Sequence, residues 1–353
     1  MKIKKFLITG VFVTMALVLS ACAMGPRAVG TPGLTAEGDV VYVSYMQYVY
    51  AVNAQTGIEV WRYPAKGSAQ VMFYAPPTVT DDAVFVGDLA NKFHKLNKTT
   101  GAALWTFEGA KGWFIGQAVV SSDTVYASSS DRFIYALDSA NGSLKWKFET
   151  GHQNWSQPVV INNEIVLASL DHSVYALDMT GKVLWQTELN GAIVGSPITD
   201  DANEKVYVGT IGQAFYALDV KTGKVAWQFD TKSSLWSAPL FAEGTLLICD
   251  EAGTVYSVDP ITGKALWTTE VGGKVMGGLL AIEGGFVVVT EDSTVRGFDF
   301  DRNPLWTRTV SGELYTAPVK TAENIIIAAI KGDNLLYGFD LTGNQEWVFK
   351  PAN

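Results

Sequence analysis

The stretch Phe215-Tyr216-Ala217-Leu218-Asp219-Val220-Lys221-Thr222-Gly223-Lys224-Val225-Ala226-Trp227 decides the fold of this 353-residue chain. An apolar strand ends in an aspartate, a Thr-Gly turn follows, and a second strand carries a tryptophan. The pattern returns with Trp61, Trp105, Trp146, Trp185, Trp227, Trp267, Trp306 and Trp347, at steps of 39 to 44 residues. Eight of the eleven tryptophans therefore hold one structural position. The residue that closes the preceding strand recurs as Asn53, Asn97, Asp138, Asp178, Asp219, Asp259, Asp299 and Asp340. The turn glycine recurs as Gly57, Gly101, Gly142, Gly181, Gly223, Gly263 and Gly343, replaced once by Asn303.

Each residue type has a physical reason. An Asp or Asn side chain caps the turn after it by accepting from backbone N–H groups two residues on. Glycine takes a positive φ without a Cβ penalty, and asparagine is the next most tolerant residue. Tryptophan supplies a broad apolar plate with one N–H that needs a partner, suited to wedging between units. A period near 40 with up to four short strands per unit predicts an all-β, eight-bladed β-propeller of four-stranded antiparallel blades. Its units fall at residues 32–63, 73–107, 114–149, 155–188, 194–230, 236–270, 276–308 and 315–350. Both ends of the repeat lie at unit boundaries, so no blade is expected to be shared between the termini.

Length alone suggests about two domains. The repeat overrides this, because such units cannot bury their faces alone and must close on one another. Hydrophobic residues make up 48% of the chain and aromatics 12%, with 34 glycines, an ordered all-β composition. The net charge is −9. Residues 1–21 hold three lysines and no acids, so their removal leaves 23 basic against 35 acidic residues, or −12. An acidic surface argues against nucleic acid and against adsorption to anionic lipid.

Lys2, Lys4 and Lys5 precede a 14-residue apolar run at residues 6–19. That run is shorter than the ~20 residues of a membrane span and fits an export signal. Leu19-Ser20-Ala21-Cys22 resembles the lipobox of bacterial lipoproteins, which implies cleavage before Cys22 and acylation of that residue. The expected organisation is a signal peptide at 1–21, a lipidated tether at 22–31 and the propeller at 32–353. Where enteric sorting rules apply, Ala23 after the cysteine implies release to the outer membrane.

Tyr135 to Trp146, Tyr216 to Trp227 and Tyr256 to Trp267 resemble the tryptophan-docking motif of the pyrroloquinoline-quinone-type propellers. The resemblance covers nearly the whole mature chain. One branch of that superfamily contains quinone-dependent alcohol and sugar dehydrogenases. The other contains non-enzymatic lipoproteins, best known as the lipoprotein scaffold of the outer-membrane β-barrel assembly machinery. The long-chain dehydrogenases hold their quinone under a disulfide of adjacent cysteines, beside a calcium and a catalytic aspartate. Here the two cysteines are Cys22 and Cys249, so no adjacent pair exists. Export, lipobox, eight repeats and a size near 350 residues point to the scaffold branch. The resemblance implies protein partners in an assembly complex, attachment to the bilayer through Cys22 only, no catalytic residue and no cofactor. The expected location is the periplasmic face of the outer membrane, or the cell surface where no outer membrane exists. A surface or periplasmic binding lipoprotein for peptide or saccharide is the alternative, and a quinone enzyme the more distant one.

Other chemistry is sparse. Cys249 stands where other units have Ser44, Gly87, Ser128, Ala168, Gly209, Val289 and Ala328, and reads as a small buried hydrophobe. His94, His152 and His172 lie in different units without metal-ligand spacing. Asp131, Asp171, Asp292 and Asp333 fall in separate turns between second and third strands, where Asp serves turn geometry. No P-loop, EF-hand loop or Gly-x-Ser-x-Gly occurs.

The three tryptophans outside the docking set give the one candidate site. Aligned on the first-strand proline (Pro158, Pro197, Pro239), the residue three before it is Tyr74, Ile115, Trp155, Val194, Trp236, Met276 and Tyr315 in blades two to eight. Aromatic and aliphatic side chains alternate. The first strand of a propeller blade lines the central channel, so these residues should gather at one mouth, with Trp113 close to Ile115. They read either as a plug filling a wide channel or as a collar of Tyr74, Trp113, Trp155, Trp236 and Tyr315 that grips an extended peptide or a sugar.

Overall fold

The computed structural model describes residues 30–352 apart from 201 and 203. Among them are eight four-stranded antiparallel sheets, each made of four consecutive strands paired in chain order. The fifth blade is typical, with strands Ile198–Thr199, Lys205–Thr210, Ala214–Asp219 and Val225–Asp230. Second and third strands are buried almost throughout and the fourth alternates at the rim. The first blade runs from Gly33–Glu37 to Glu59–Tyr63 and the last from Val319–Lys320 to Gln345–Phe349.

The hydrophobic core is divided into eight wedges, one between each pair of neighbouring blades. The wedge at the seam packs Leu34, Val41, Val43 and Tyr50 of blade one against Ile326, Leu336, Trp347 and Phe349 of blade eight. It is built like the other seven. The first strand of blade one also meets that of blade eight through Thr316, whose hydroxyl donates to the Pro32 carbonyl at 2.7 Å.

Each tryptophan in the repeat lies over the third strand of its own blade and reaches the turn of the next. Trp61 donates from Nε1 to the Lys98 carbonyl at 2.8 Å, Trp146 to Met179 at 2.9 Å and Trp185 to Val220 at 2.7 Å. Trp105, Trp227 and Trp347 make the same bond to Ser139, Pro260 and Ala54, and the last of these closes the ring. The turn glycine sits under the ring. A Cβ on Gly223 would strike Trp185, and that glycine has φ 69°.

Three features add to the sequence reading or correct it. A one-residue bulge precedes the tryptophan in every blade, as where Ala217 pairs with Trp227 and Leu218 with Val225. Bulges re-aim a strand, here swinging the indole toward the neighbouring blade and leaving Val60, Leu104, Leu184, Leu266 and Leu305 exposed. Second, the left-handed turn position of blade seven belongs to Arg302, at φ 72°, and not to Asn303. Asn303 instead bonds back to Asp299 through its backbone and side-chain nitrogens. Third, Trp61, Trp306 and Trp347 are buried, whereas Trp105, Trp146, Trp185, Trp227 and Trp267 keep part of their surface in water. Trp306 is buried with Nε1 unpartnered.

The caps are carboxylates in six blades and amides in two. Asp219 Oδ1 accepts from the Thr222 N–H and hydroxyl at 2.9 and 2.8 Å, and Asn53 Oδ1 accepts the same pair from Thr56 at 2.9 and 2.8 Å. The Thr222 hydroxyl, then the turn N–H groups and Lys205, lower the pKa of Asp219.

Truncating Trp347 removes a buried plate and the indole bond across the seam. Trp347→Ala should cost about 3–5 kcal/mol, the range for large aromatic truncations in cores. Trp227→Ala should cost less, because its ring is already partly hydrated. Urea denaturation of both variants checks the order. A lowered carboxylate pKa contributes stability above the unfolded value near 3.8, and that contribution is lost as pH falls through the folded value. Asp219→Asn, which keeps an amide cap of the Asn53 kind but no titrating carboxylate, should start somewhat less stable than the parent at pH 7 and lose less on titration to pH 3, read by denaturation at both pH values.

Candidate functional site: the channel mouth

The linking segment into each blade crosses one face of the ring before turning down the channel wall. Two successive residues tie it there. The Phe114 N–H donates to the Asp88 carbonyl in the second-to-third-strand turn of the previous blade, and the Trp113 carbonyl accepts from Ser130 in that turn of its own blade. Phe73, Asn154, Ile193 and Leu235 repeat the first bond, and Met72, Gln153, Ala192 and Ser234 the second. The next residue in each link points into the channel. Tyr74, Ile115, Trp155, Val194, Trp236, Met276 and Tyr315 all line one cavity of about 440 Å³.

Alternation extends one residue further along the chain than the aromatic pattern. Blades one, three, five and seven follow with Gly33, Gly116, Gly195 and Gly277; blades two, four, six and eight with Ala75, Ser156, Ser237 and Thr316. A Cβ on any of the four glycines would run into the backbone of the next, even-numbered blade. The odd-numbered inner strands thus lean against their neighbours, which gives the mouth a fourfold character inside an eightfold ring. This signal was present in the sequence beside each aromatic and aliphatic residue.

The rings are held from behind. Trp155 donates to Gln153 Oε1 at 3.0 Å, and Trp236 to Glu251 Oε2 at 3.2 Å. The Tyr315 hydroxyl donates to Glu313 Oε2 at 2.8 Å and lies 3.1 Å from Glu291 Oε1. Burial and then these two carboxylates push its pKa well up, so it stays a neutral donor. Tyr74 meets the edge of Tyr45 at 6.2 Å between ring centroids. Tyr74, Trp155 and Trp236 keep part of their surface open, and Tyr315 is buried. None of the carboxylates behind the rings lines the cavity, and among the described residues the lining holds no Asp, Glu, Lys, Arg or His. Its polar groups are Gln117, Gln157, Ser196, Ser237, Thr31 and Thr316 with strand backbone.

Trp113 stands apart from this set. It sits two residues before Ile115, its backbone N–H donates to Ser130 Oγ at 2.7 Å, and its ring is 43% exposed on the face rather than lining the cavity. The eight docking tryptophans are at the opposite, outer side of the blades. Cys22 lies outside the described residues.

The remaining titratable groups have local roles. Asp131 and Asp171 accept from Tyr135 and Tyr175 of their own blades at 2.7 and 2.6 Å, and Asp250 from Tyr256 at 2.8 Å. Burial and then Asp171 push Tyr175 up to about 12. In blade two His94 takes the tyrosine position, buried with Nε2 2.9 Å from buried Asp88. His152 and His172 are exposed. Cys249 is buried with its thiol pKa raised by burial and by Asp250. Among the described residues no group of His, Cys, Asp and Glu could hold a metal. The small residues aligned with Cys249 also gain a reason: Gly87 and Gly209 leave room for Phe114 and Leu235 of the next link.

An eight-bladed propeller with tryptophan docking and an aromatic channel mouth defines a fold class shared by proteins of different activity. The family described as outer membrane protein assembly factor BamB matches residues 45–169, 133–237, 231–307 and 251–353, and the chain belongs to this pyrroloquinoline-quinone-type, BamB-like family. The outer membrane protein assembly factor BamB of Yersinia pestis is 26% identical over 249 residues, 64% of this chain and 60% of that protein. The tetrathionate hydrolase of Acidithiobacillus ferrooxidans is 27% identical over 231 residues, 57% of this chain and 45% of that enzyme. The chain thus spans about half of the length of these relatives. The crystal structure of BamB from Moraxella catarrhalis superposes with a TM-score of 0.75 at 18% identity, over 87% of this chain and 96% of that one.

Proposed function

We propose that this chain is an exported lipoprotein, held at a membrane through acylated Cys22, whose propeller is a protein-binding scaffold in outer-membrane β-barrel assembly. The observation that carries the reading is the family match across residues 45–353, together with relatives named as assembly factors. Its location is the periplasmic face of the outer membrane, its partners are proteins of an assembly complex, and its one lipid contact is the anchor. The proposal has no catalytic residue and no nucleic-acid partner.

Named hydrolases and dehydrogenases share the repeat, so membership alone leaves enzyme and scaffold open. The channel mouth supports the scaffold. Among the described residues its lining offers no charged side chain to move a proton, ligate calcium or neutralise an anionic quinone. The same lining favours a second reading, a binding lipoprotein for a neutral peptide or saccharide, because open aromatic faces ringed by amides and hydroxyls suit both.

Two experiments test the proposal. Growth with labelled fatty acid should mark the wild-type protein and leave Cys22→Ser unmarked; a labelled Cys22→Ser product would contradict the anchor. The wild-type protein should co-purify with outer-membrane protein assembly factors from detergent-solubilised membranes. The Trp155→Ala, Trp236→Ala double variant should lose most of that capture with nearly unchanged thermal stability, since both rings are partly open. A large fall in Tm with normal capture would make the aromatics a plug.

A further inference from the structure

We propose that the aromatic mouth of the channel faces the bilayer to which the protein is anchored, with the opposite face turned away. This rests on Cys22 being the anchor and adds to that reading an orientation.

The argument starts from where the chain enters the ring. Thr31 and Pro32 line the same cavity as Trp155 and Trp236. Gly33 packs against the second blade's inner strand as Gly116 packs against the fourth's, so Pro32 is the first blade's counterpart of Ile115 and Gly30 that of Trp113. In seven blades the segment at these positions arrives across the face that carries the second-to-third-strand turns. The first described residues, Gly30 and Thr31, therefore join the ring close to its axis and on the face of the aromatic mouth.

Reach then selects the orientation. The nine steps from Cys22 to Thr31 span at most ~30 Å fully extended, and ~15–18 Å as a flexible Gly-containing chain. To present the opposite face, the tether would have to pass outward over four strands, three spacings or ~14 Å. It would then pass down a blade of five- to six-residue strands, ~17–20 Å. That outer path exceeds ~30 Å before the channel radius and side chains are added, and a route down the channel of ~17–20 Å would use up the whole ~15–18 Å reach of a relaxed tether. An edge-on arrangement demands a nearly taut tether and gives up its conformational entropy. Mouth-on is the orientation a relaxed tether allows.

The exposed surface agrees. The face around the mouth exposes the apolar Trp113 and Met46, with Lys232 and Lys274 paired to Glu270 and Glu251 and with Asp292 and Asp333 also in solvent, so its contribution is the two apolar side chains rather than net charge. The opposite face presents the aspartate-capped turns and Ile261, which is 84% exposed.

The test anchors the protein chemically, so that it does not depend on acylation in the cell. Cys22 of the mature chain is coupled to a maleimide lipid; Cys249 is buried and should not react. A fluorescent amino acid is incorporated in place of Lys111 on the mouth face or of Ile261 on the other. Each protein is bound to phosphatidylethanolamine/phosphatidylglycerol vesicles carrying head-group spin-labelled lipid. Quenching should be several-fold greater at 111 than at 261. Insertion of about twenty Gly/Ser residues after Gly25, which lengthens the relaxed tether to ~30 Å, should erase most of the difference. Equal quenching at both positions with the native tether, stronger quenching at 261, or none at either would overturn the orientation. Fatty-acid labelling of the cellular protein reports separately on whether Cys22 is the natural anchor.

Discussion

The constraint on which this structure depends is the docking of one blade's tryptophan on the turn of the next. A blade has apolar surface on both faces and no partner within its own forty residues. The indole covers part of that surface, and its N–H satisfies a carbonyl left free by the capped turn, as between Trp185 and Val220. The turn must in turn be flat under the ring, which calls for a residue in the left-handed region, a glycine in seven blades as at Gly223 and Arg302 in the remaining one. Cap, glycine and tryptophan are therefore one device. Repeated around the ring, it lets Trp347 close on Ala54 with no strand exchanged between the ends.

The inner side of the ring obeys a different rule. Four glycines let odd-numbered blades lean on even-numbered ones, and a bulky ring on each even-numbered blade takes up the space that results. Eight large rings would crowd one mouth, whereas four alternating with Ile115, Val194, Met276 and Pro32 leave an uncharged cavity open. The outer rim thus carries the contacts that join the blades, while the inner mouth keeps aromatic faces open to solvent.

Much of this was legible in the sequence, because side chains with strong geometric demands recur at fixed spacing. The tryptophan steps gave blade number and order, and the aromatic alternation picked out side chains that line one cavity, whereas Trp113, expected in the same collar, lies outside it. What escaped was backbone geometry. The bulge before each tryptophan leaves no residue-type signature, since Val60, Leu104, Lys145 and Ala226 all occupy it. Arg302 at φ 72° was hidden because Asn303 beside it is the more obvious left-handed residue. His94 proved to replace a repeated tyrosine against a buried Asp88, which a strand-by-strand alignment shows and a search for metal spacing does not.

The central claim is that docking joins eight blades into one closed cooperative ring, seam included. Native-state hydrogen exchange tests it most directly, by comparing the second strands of the first and last blades with that of the fifth, Val40–Tyr45 and Asn324–Ala328 against Lys205–Thr210. The account predicts that the buried amides of all three exchange only through global unfolding, with equal opening free energies. A markedly lower opening free energy for the first or last blade would show that the seam opens on its own and that the ring is not closed in the way described.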